Sequence, residues 1–249
     1  MTSLPETASP TPLITQAASQ AQDPHARYSA NENVGDAVPA GRVAPRGLDP
    51  RQALAKRSLD LVGATFGLLF LAPLLGMTAL VIALIDGRPV LFWQDRAGLD
   101  GRPFRIAKFR TMRVGADEQR AELRAFNEVE GAASFKMTDD PRITRLGRIL
   151  RRTSIDELPQ LWNVLLGEMS LVGPRPHPFD DVAGYADWHH GRFAVKPGIT
   201  GSWQISSRRE TDFDKWVELD LEYIANWSFR RDVEILLGTI PALLRAEGR

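Results

Sequence analysis

The most abrupt change of pattern along the chain comes at Leu61. From there to Ile85 the sequence LVGATFGLLFLAPLLGMTALVIALI contains no charged residue. A run of this length is enough to cross ~30 Å of hydrocarbon as a helix. Two features set it apart from a plain crossing. Pro73 sits near its middle, where it removes one helical hydrogen bond and kinks the axis. Basic residues flank both ends, with Arg51, Lys56 and Arg57 before it and Arg88, Arg96, Arg102 and Arg105 after it. The positive-inside bias therefore places both ends in the cytoplasm. A helix that enters, bends at Pro73 and returns to the same face meets both observations. An ordinary spanning helix with the remainder of the chain on one side is the plainer alternative.

Past Asp86-Gly87 the apolar positions become strand-like. Pro89–Trp93 and Phe104–Arg110, around an Asp100-Gly101 turn, predict a β-hairpin. Residues 115–130, polar and rich in Ala, Glu and Arg, predict a helix. Another is predicted from Asp140-Pro141, with Asp as N-cap and Pro at the first helical position. On it Arg142, Arg145, Arg148 and Arg152 share one side, and Ile143, Leu146, Ile149 and Leu150 the other. Such a surface suits anionic headgroups or a row of phosphates. From Ser154 to Gly167 the stripe Leu158, Leu161, Trp162 and Leu165 predicts a core-facing helix closed by glycine. Met169–Pro178 (MSLVGPRPHP) cannot be helical and predicts a rigid loop. Ala194–Gln204 reads as a loop with a short strand. Helices are predicted over Asp212–Trp227 and Asp232–Leu244, and the apolar face of the second suits either the membrane interface or the core.

Composition narrows the function classes. A chain of 249 residues makes one catalytic domain with attachments. Basic and acidic residues balance at 31 each, so no global field favours nucleic acid, and any phosphate binding must come from local clusters. The absence of cysteine excludes disulfides, thiolate metal sites and a cysteine nucleophile. None of His25, His177, His189 and His190 has metal-ligand spacing. Residues 1–50 hold seven of the 17 prolines, with Tyr28 as their one aromatic, and predict a disordered cytosolic tail without a signal peptide. The expected organisation is a tail at 1–50, a membrane helix at 51–86 and a catalytic domain at 87–249.

The most informative acidic feature is Asp156-Glu157, placed between a basic segment and an apolar one where a helix is predicted to begin. A carboxylate there could attack phosphorus or hold Mg²⁺. The competing structural reading is an S-x-x-E capping box, in which Glu157 merely satisfies the backbone next to Ser154. Pro174 and Pro176 hold Arg175 between two rigid residues, which presets a guanidinium for bidentate phosphate binding or simply makes a turn. Lys108 and Arg110 alternate with Phe109 and are expected on one strand face. That face could meet a diphosphate or be a solvated edge. The sequence has no P-loop, dinucleotide-binding glycine fingerprint, nucleophile elbow or kinase motif set.

With these residues in view, the chain resembles the bacterial sugar transferases, the monotopic polyprenyl-phosphate phosphoglycosyltransferases. The resemblance rests on Lys56-Arg57 with Asp60, Pro89-Val-Leu-Phe92, Lys108-Phe-Arg-Thr-Met112, Asp140-Pro-Arg-Ile-Thr144, Asp156-Glu-Leu-Pro-Gln160, Asn163-Val164, Met169-Ser-Leu-Val-Gly-Pro-Arg-Pro176, Lys196-Pro-Gly-Ile-Thr-Gly201, and Tyr223 with Asn226-Trp-Ser228. It implies an α+β, mainly helical monotopic membrane protein with a re-entrant helix broken at Pro73, a small β-hairpin and interfacial amphipathic helices. It also implies residence on the cytoplasmic face of the bacterial inner membrane. The implied reaction has two steps. Asp156 as nucleophile takes a phosphosugar from a UDP-sugar, and undecaprenyl phosphate then accepts it. Mg²⁺ is implied with Asp156 as its protein ligand, with Glu157 assisting and Arg175 binding phosphate. Lys108, Arg110, Arg142 and Arg208 are implied in support. Thr200–Ser206 looks like the short enzymes that start exopolysaccharide repeats with galactose or glucose. Where relatives read Ser-Gly-Arg, this chain has Ser206-Ser207-Arg208, so that glycine's backbone freedom is missing. Homo-oligomer formation is left open. The rival readings are a catalytically silent adaptor on the same scaffold and a soluble nucleotide-binding module, the second opposed by the Leu61–Ile85 run.

Overall fold

A computed structural model of the protein describes residues 49–129, 134–135, 137–206 and 211–244. The expected tail thus lies almost wholly outside the described residues. Helix α1 spans Pro50–Ile85. Asp49 caps it through Arg51 N and, with Gln52, closes a capping box, while Pro50 occupies the first turn where no backbone N–H is needed. Helical assignment continues across Pro73. Among the described residues this one helix is long and apolar enough to cross a membrane, with a mean hydropathy of 2.6 over 18 residues. Much of its surface is uncovered apolar side chain, including Val62, Phe66, Leu69, Phe70, Leu80 and Leu84.

The hairpin forms as expected. Strands β1 (Leu91–Ala97) and β2 (Pro103–Phe109) pair antiparallel, Leu91 opposite Phe109. The predicted 115–130 helix shrinks to the single turn α2 (Arg120–Leu123) and a 3₁₀ turn. The next helix, α3, covers Arg145–Thr153 and not a span from Asp140. Its N-cap is Thr144, whose hydroxyl accepts from Gly147 N. The Asp140 carboxylate instead accepts from Arg142 N, Nε and Nη2, which holds Arg142 buried in the preceding turn and off the basic face. On the apolar face Leu150 is buried and Ile149 is exposed.

A 3₁₀ turn at Ile155–Glu157 leads into α4 (Gln160–Leu166), which Gly167 ends at φ 83°. Trp162 departs from the expected core stripe and is exposed, while Asn163 is buried in its place. Asn163 Nδ2 donates to Arg105 O at 2.7 Å and its Oδ1 accepts from Ala107 N at 3.0 Å, so α4 is bolted to β2. Strand β3 (Ser170–Val172) lies within the segment expected to be all loop. It pairs in parallel with β4 (Gly198–Thr200). Helices α5 (Phe179–Val182), α6 (Ser202–Ser206), α7 (Phe213–Ala225) and α8 (Phe229–Leu244) complete the order.

The two halves of α1 enter two separate cores. Ala64, with Leu68 and Leu71, packs on Leu161, Val164, Met169 and Leu171. Ile82, with Leu75 and Ala79, packs on Phe109 and Leu150. Polar contacts tie the ends as well. Lys56 Nζ meets Asp232 at 2.8 Å, and Asp60 Oδ1 accepts from Ser170 Oγ and Leu171 N. At the far end the Asp86 carboxylate accepts from Thr144 Oγ1 at 2.7 Å.

Candidate functional site

Three strands of sequence meet at one place because their backbones touch. A Cβ on Gly147 would lie 2.0 Å from Thr111 O, so only glycine lets α3 press against the end of the hairpin. The Gly-Pro-Arg-Pro and Lys-Pro-Gly segments press together in the same way. A Cβ on Gly198 would lie 2.1 Å from Gly173 N. Gly198 N donates to Pro174 O, and Arg192 Nη2 donates to Arg175 O. Flanked by Pro174 and Pro176 and held from behind at its carbonyl, Arg175 has little freedom left.

Its guanidinium forks onto Glu157, Nη1 to Oε2 at 3.1 Å and Nη2 to Oε1 at 2.5 Å. Lys108 Nζ, from β2, reaches the same carboxylate at 3.0 Å. This geometry corrects the capping-box alternative: Ser154 is left-handed at φ 57° and makes no side-chain cap, and the Glu157 carboxylate is engaged by Lys108 and Arg175. Burial alone would raise the Glu157 pKa, but Arg175 and then Lys108 overcome it and hold the group well below the usual carboxylate range.

Asp156 is the reverse case. It is only 6% exposed, and among the described residues its carboxylate has no hydrogen-bond donor. Burial, then repulsion by Glu157, pushes its pKa up to about 6, and Lys108, Arg151 and Arg175 offset part of this. Lys108 is itself pushed down to about 8, first by burial, with Glu157 opposing and Arg175 and Arg96 adding to the fall.

Asp156, Glu157, Lys108 and Arg175 line a cavity of about 640 Å³, whose walls also carry Arg142, Arg151, His177, Trp203 and Trp216. The volume falls in the range of small-molecule sites. Two expected residues sit differently. Arg110 lines the cavity, but its Nη atoms donate to Asp86 O, Gly87 O and Arg88 O, so it caps the end of α1 and does not present a free fork. Arg142 contributes to the wall with its guanidinium on Asp140, 2.6 Å away. Arg208 lies outside the described residues. Sequence reading missed Arg151, whose Nε donates to Thr111 Oγ1 and whose charge reaches both Asp156 and Glu157. Gly147, four residues earlier on the same face of α3, was the available sign that this face is packed and not solvated.

No cluster of three acidic or imidazole groups that could hold a metal occurs among the described residues. A one-carboxylate donor set still fits Mg²⁺, which is commonly bound through one or two carboxylates and completed by substrate phosphates. Glu157 is engaged by two cations, whereas the Asp156 carboxylate has no hydrogen-bond donor among the described residues and could serve as that donor.

The cavity thus brings a cluster of cations around one carboxylate, on a scaffold that carries a membrane-length apolar helix. Residues 51–246 match the family model described as bacterial sugar transferase, and the chain belongs to that family. The galactosyl transferase CpsE of Streptococcus agalactiae is 47% identical over 199 residues, covering 78% of this chain and 43% of its own length. The UDP-glucose:undecaprenyl-phosphate glucose-1-phosphate transferase of Escherichia coli is 44% identical over 75% of this chain and 39% of its own. The exopolysaccharide production protein ExoY of Rhizobium meliloti is 39% identical over 80% of this chain and 89% of its own. The chain thus spans about two fifths of the first two relatives and most of the third.

Proposed function

We propose that this protein transfers a sugar 1-phosphate from a UDP-sugar, UDP-galactose or UDP-glucose, to undecaprenyl phosphate, and so starts an exopolysaccharide repeat. One observation carries the reading: a buried Asp156 carboxylate without a hydrogen-bond donor among the described residues, on the wall of a cavity where Lys108, Arg151 and Arg175 concentrate positive charge. In the first step an Asp156 oxygen attacks the sugar-linked phosphorus. The bond from that phosphorus to the bridging oxygen breaks, UMP departs, and a phosphosugar remains as an acyl phosphate. In the second step an oxygen of undecaprenyl phosphate attacks the same phosphorus, the aspartyl bond breaks, and the free carboxylate returns. Desolvation suits Asp156 to attack, because a carboxylate stripped of donors keeps its charge localised. Glu157, clamped by Lys108 and Arg175, keeps those two cations aimed at the place where phosphate charge gathers. Mg²⁺ held by Asp156 and the donor's phosphates would supply further charge neutralisation.

The same reading places the protein on the cytoplasmic face of the bacterial inner membrane with α1 re-entrant. The support is that both ends of α1 are tied to one folded unit, through Lys56 and Asp60 at one end and Asp86 at the other. Exposed Trp162, Leu166, Phe229, Leu237 and Ile240 give that unit apolar surface for the interface. Purified protein incubated with Mg²⁺ and UDP-sugars, without lipid acceptor, is expected to release UMP and gain a phosphosugar mass on Asp156. Turnover that survives Asp156→Asn undiminished would sink the covalent scheme. Cysteines placed at Arg51 and Arg88 are both expected to be labelled from the cytoplasm, and labelling from opposite faces would restore a spanning helix.

A further inference from the structure

The Lys56-Arg57 and Lys196-Pro-Gly motifs take no part in the cavity, yet they bring two cations together. Arg57, one turn before Leu61 on α1, donates from Nη1 to Val164 O at 2.7 Å and from Nη2 to Leu165 O at 2.9 Å, two carbonyls in the last turn of α4. Lys196, on the lead-in to β4, approaches the same point. A methyl group placed on Gly167 would lie 3.5 Å from both Arg57 Nη2 and Lys196 Nζ, so a guanidinium and an ammonium converge on the glycine that ends α4.

Neither cation has an ion-pair partner among the described residues. The acids nearby are committed elsewhere: Glu168 accepts from Asn163 Nδ2, and Asp60 accepts from Ser170 and Leu171. Burial and then the Arg57 charge lower the Lys196 pKa, with only Asp60 opposing. Two half-buried like charges without a counter-ion are costly, and a bound anion removes that cost. The surroundings say which kind of anion. Leu61 follows Arg57 by one turn of α1, Leu166 directly precedes Gly167, and both are exposed together with Val62 and Trp162, so apolar surface accompanies the two cations. Neither Arg57 nor Lys196 lines the 640 Å³ cavity.

We propose that Arg57 and Lys196 form a second anion site, separate from the Asp156 cavity, that binds the phosphate group of a lipid whose chains lie against α1 and α4. The proposal rests on the membrane placement given above and on nothing about turnover. Both a bulk anionic phospholipid and an isoprenoid phosphate offer the required group.

The test uses the full chain in detergent micelles, titrated with dioctanoyl phosphatidylglycerol, with farnesyl phosphate, and with dioctanoylglycerol, which carries no phosphate. Binding is read by native mass spectrometry and needs no donor or activity. One or both phosphate lipids are expected to bind, and whichever binds more tightly identifies the source. Lys196→Gln should weaken that binding about tenfold, the worth of one charge-assisted contact, and Lys196→Arg should retain it. A second measurement needs no variant: acylation of Lys196 in the wild-type chain should slow when the bound phosphate lipid is present. Equal binding of dioctanoylglycerol, unchanged affinity in Lys196→Gln, or unprotected Lys196 would each overturn the site. Absent lipid binding with intact phosphosugar formation on Asp156 would overturn this inference and leave the proposed reaction standing.

Discussion

Asp156 and Asp220 are two buried aspartates whose pKa values burial pushes up to about 6, and they have opposite fates. Asp220, inside α7, is 1% exposed and holds Arg192 through one oxygen, Nε at 2.9 Å and Nη2 at 2.8 Å. Arg192 also donates to Tyr185 Oη and to the backbone of Arg175. Among the described residues Asp156 accepts no hydrogen bond, and it faces a cavity. A shifted acidity therefore does not by itself mark a reactive group. What separates the two is whether the fold has paired the carboxylate with a buried cation, as Arg192 pairs Asp220, or left it on the wall of a cavity. The closed pair stands behind the open one, since Arg192 holds the carbonyl of the arginine that clamps Glu157.

Substituting both aspartates by asparagine should break the symmetry most sharply. Asp156→Asn is expected to lower turnover at least about a thousandfold, because the amide cannot form the acyl phosphate. It should also raise the melting temperature at neutral pH. The folded pKa is raised above the unfolded 3.8, so ionised Asp156 costs stability, a cost absent below 3.8 and fully present above about 6. Asp220→Asn should do the reverse, costing about 3–5 kcal/mol in denaturant unfolding by leaving Arg192 buried without its counter-charge. If both variants move stability in the same direction, the contrast drawn here is wrong.

Smaller effects refine the open site. Arg175→Lys keeps the charge and loses the fork on Glu157, and turnover is expected to fall about a hundredfold with stability little changed. The pH profile of turnover should be bell-shaped, with a slope of about tenfold per unit on each limb. It should rise through about 6 as Asp156 ionises and fall through about 8 as Lys108 loses its proton. A rising limb that persists in a variant lacking the Asp156 carboxyl would assign it to another group.

The elements that announced themselves in sequence were those set by local rules. The charge-free run became α1, the Asp-Gly turn closed the hairpin, and Gly167 stopped α4. The misreadings came where tertiary contacts outbid a local signal. Asp140-Pro141 has the residues of a helix start, but the Asp140 carboxylate finds Arg142 and the cap passes to Thr144. Ser154 and Glu157 have capping-box spacing, but two cations from β2 and the Pro-Arg-Pro loop claim the acid. Arg110 follows Lys108 by two residues, yet β2 ends at Phe109 and the guanidinium turns to the carbonyls after α1. Asp156, Glu157, Lys108 and Arg175 do meet, a convergence that no spacing along the chain encodes. It depends on glycine at 147, 173 and 198 admitting backbone where a methyl would not fit.

The burial of Ala64 and Ile82 to 0% exposure on either side of Pro73 has a practical corollary. The apolar helix is a load-sharing beam of the catalytic unit and not a tether attached to it. Trimming the chain to a soluble fragment that begins after Ile85 would strip the lining from two cores at once, baring Leu161, Leu171, Phe109 and Leu150 to water. Such a fragment is expected to aggregate, and exchanging the helix for a generic anchor would fail for the same reason. The apolar helix and the cores it lines must then change together, substitution by substitution, and cannot be shuffled as separate modules.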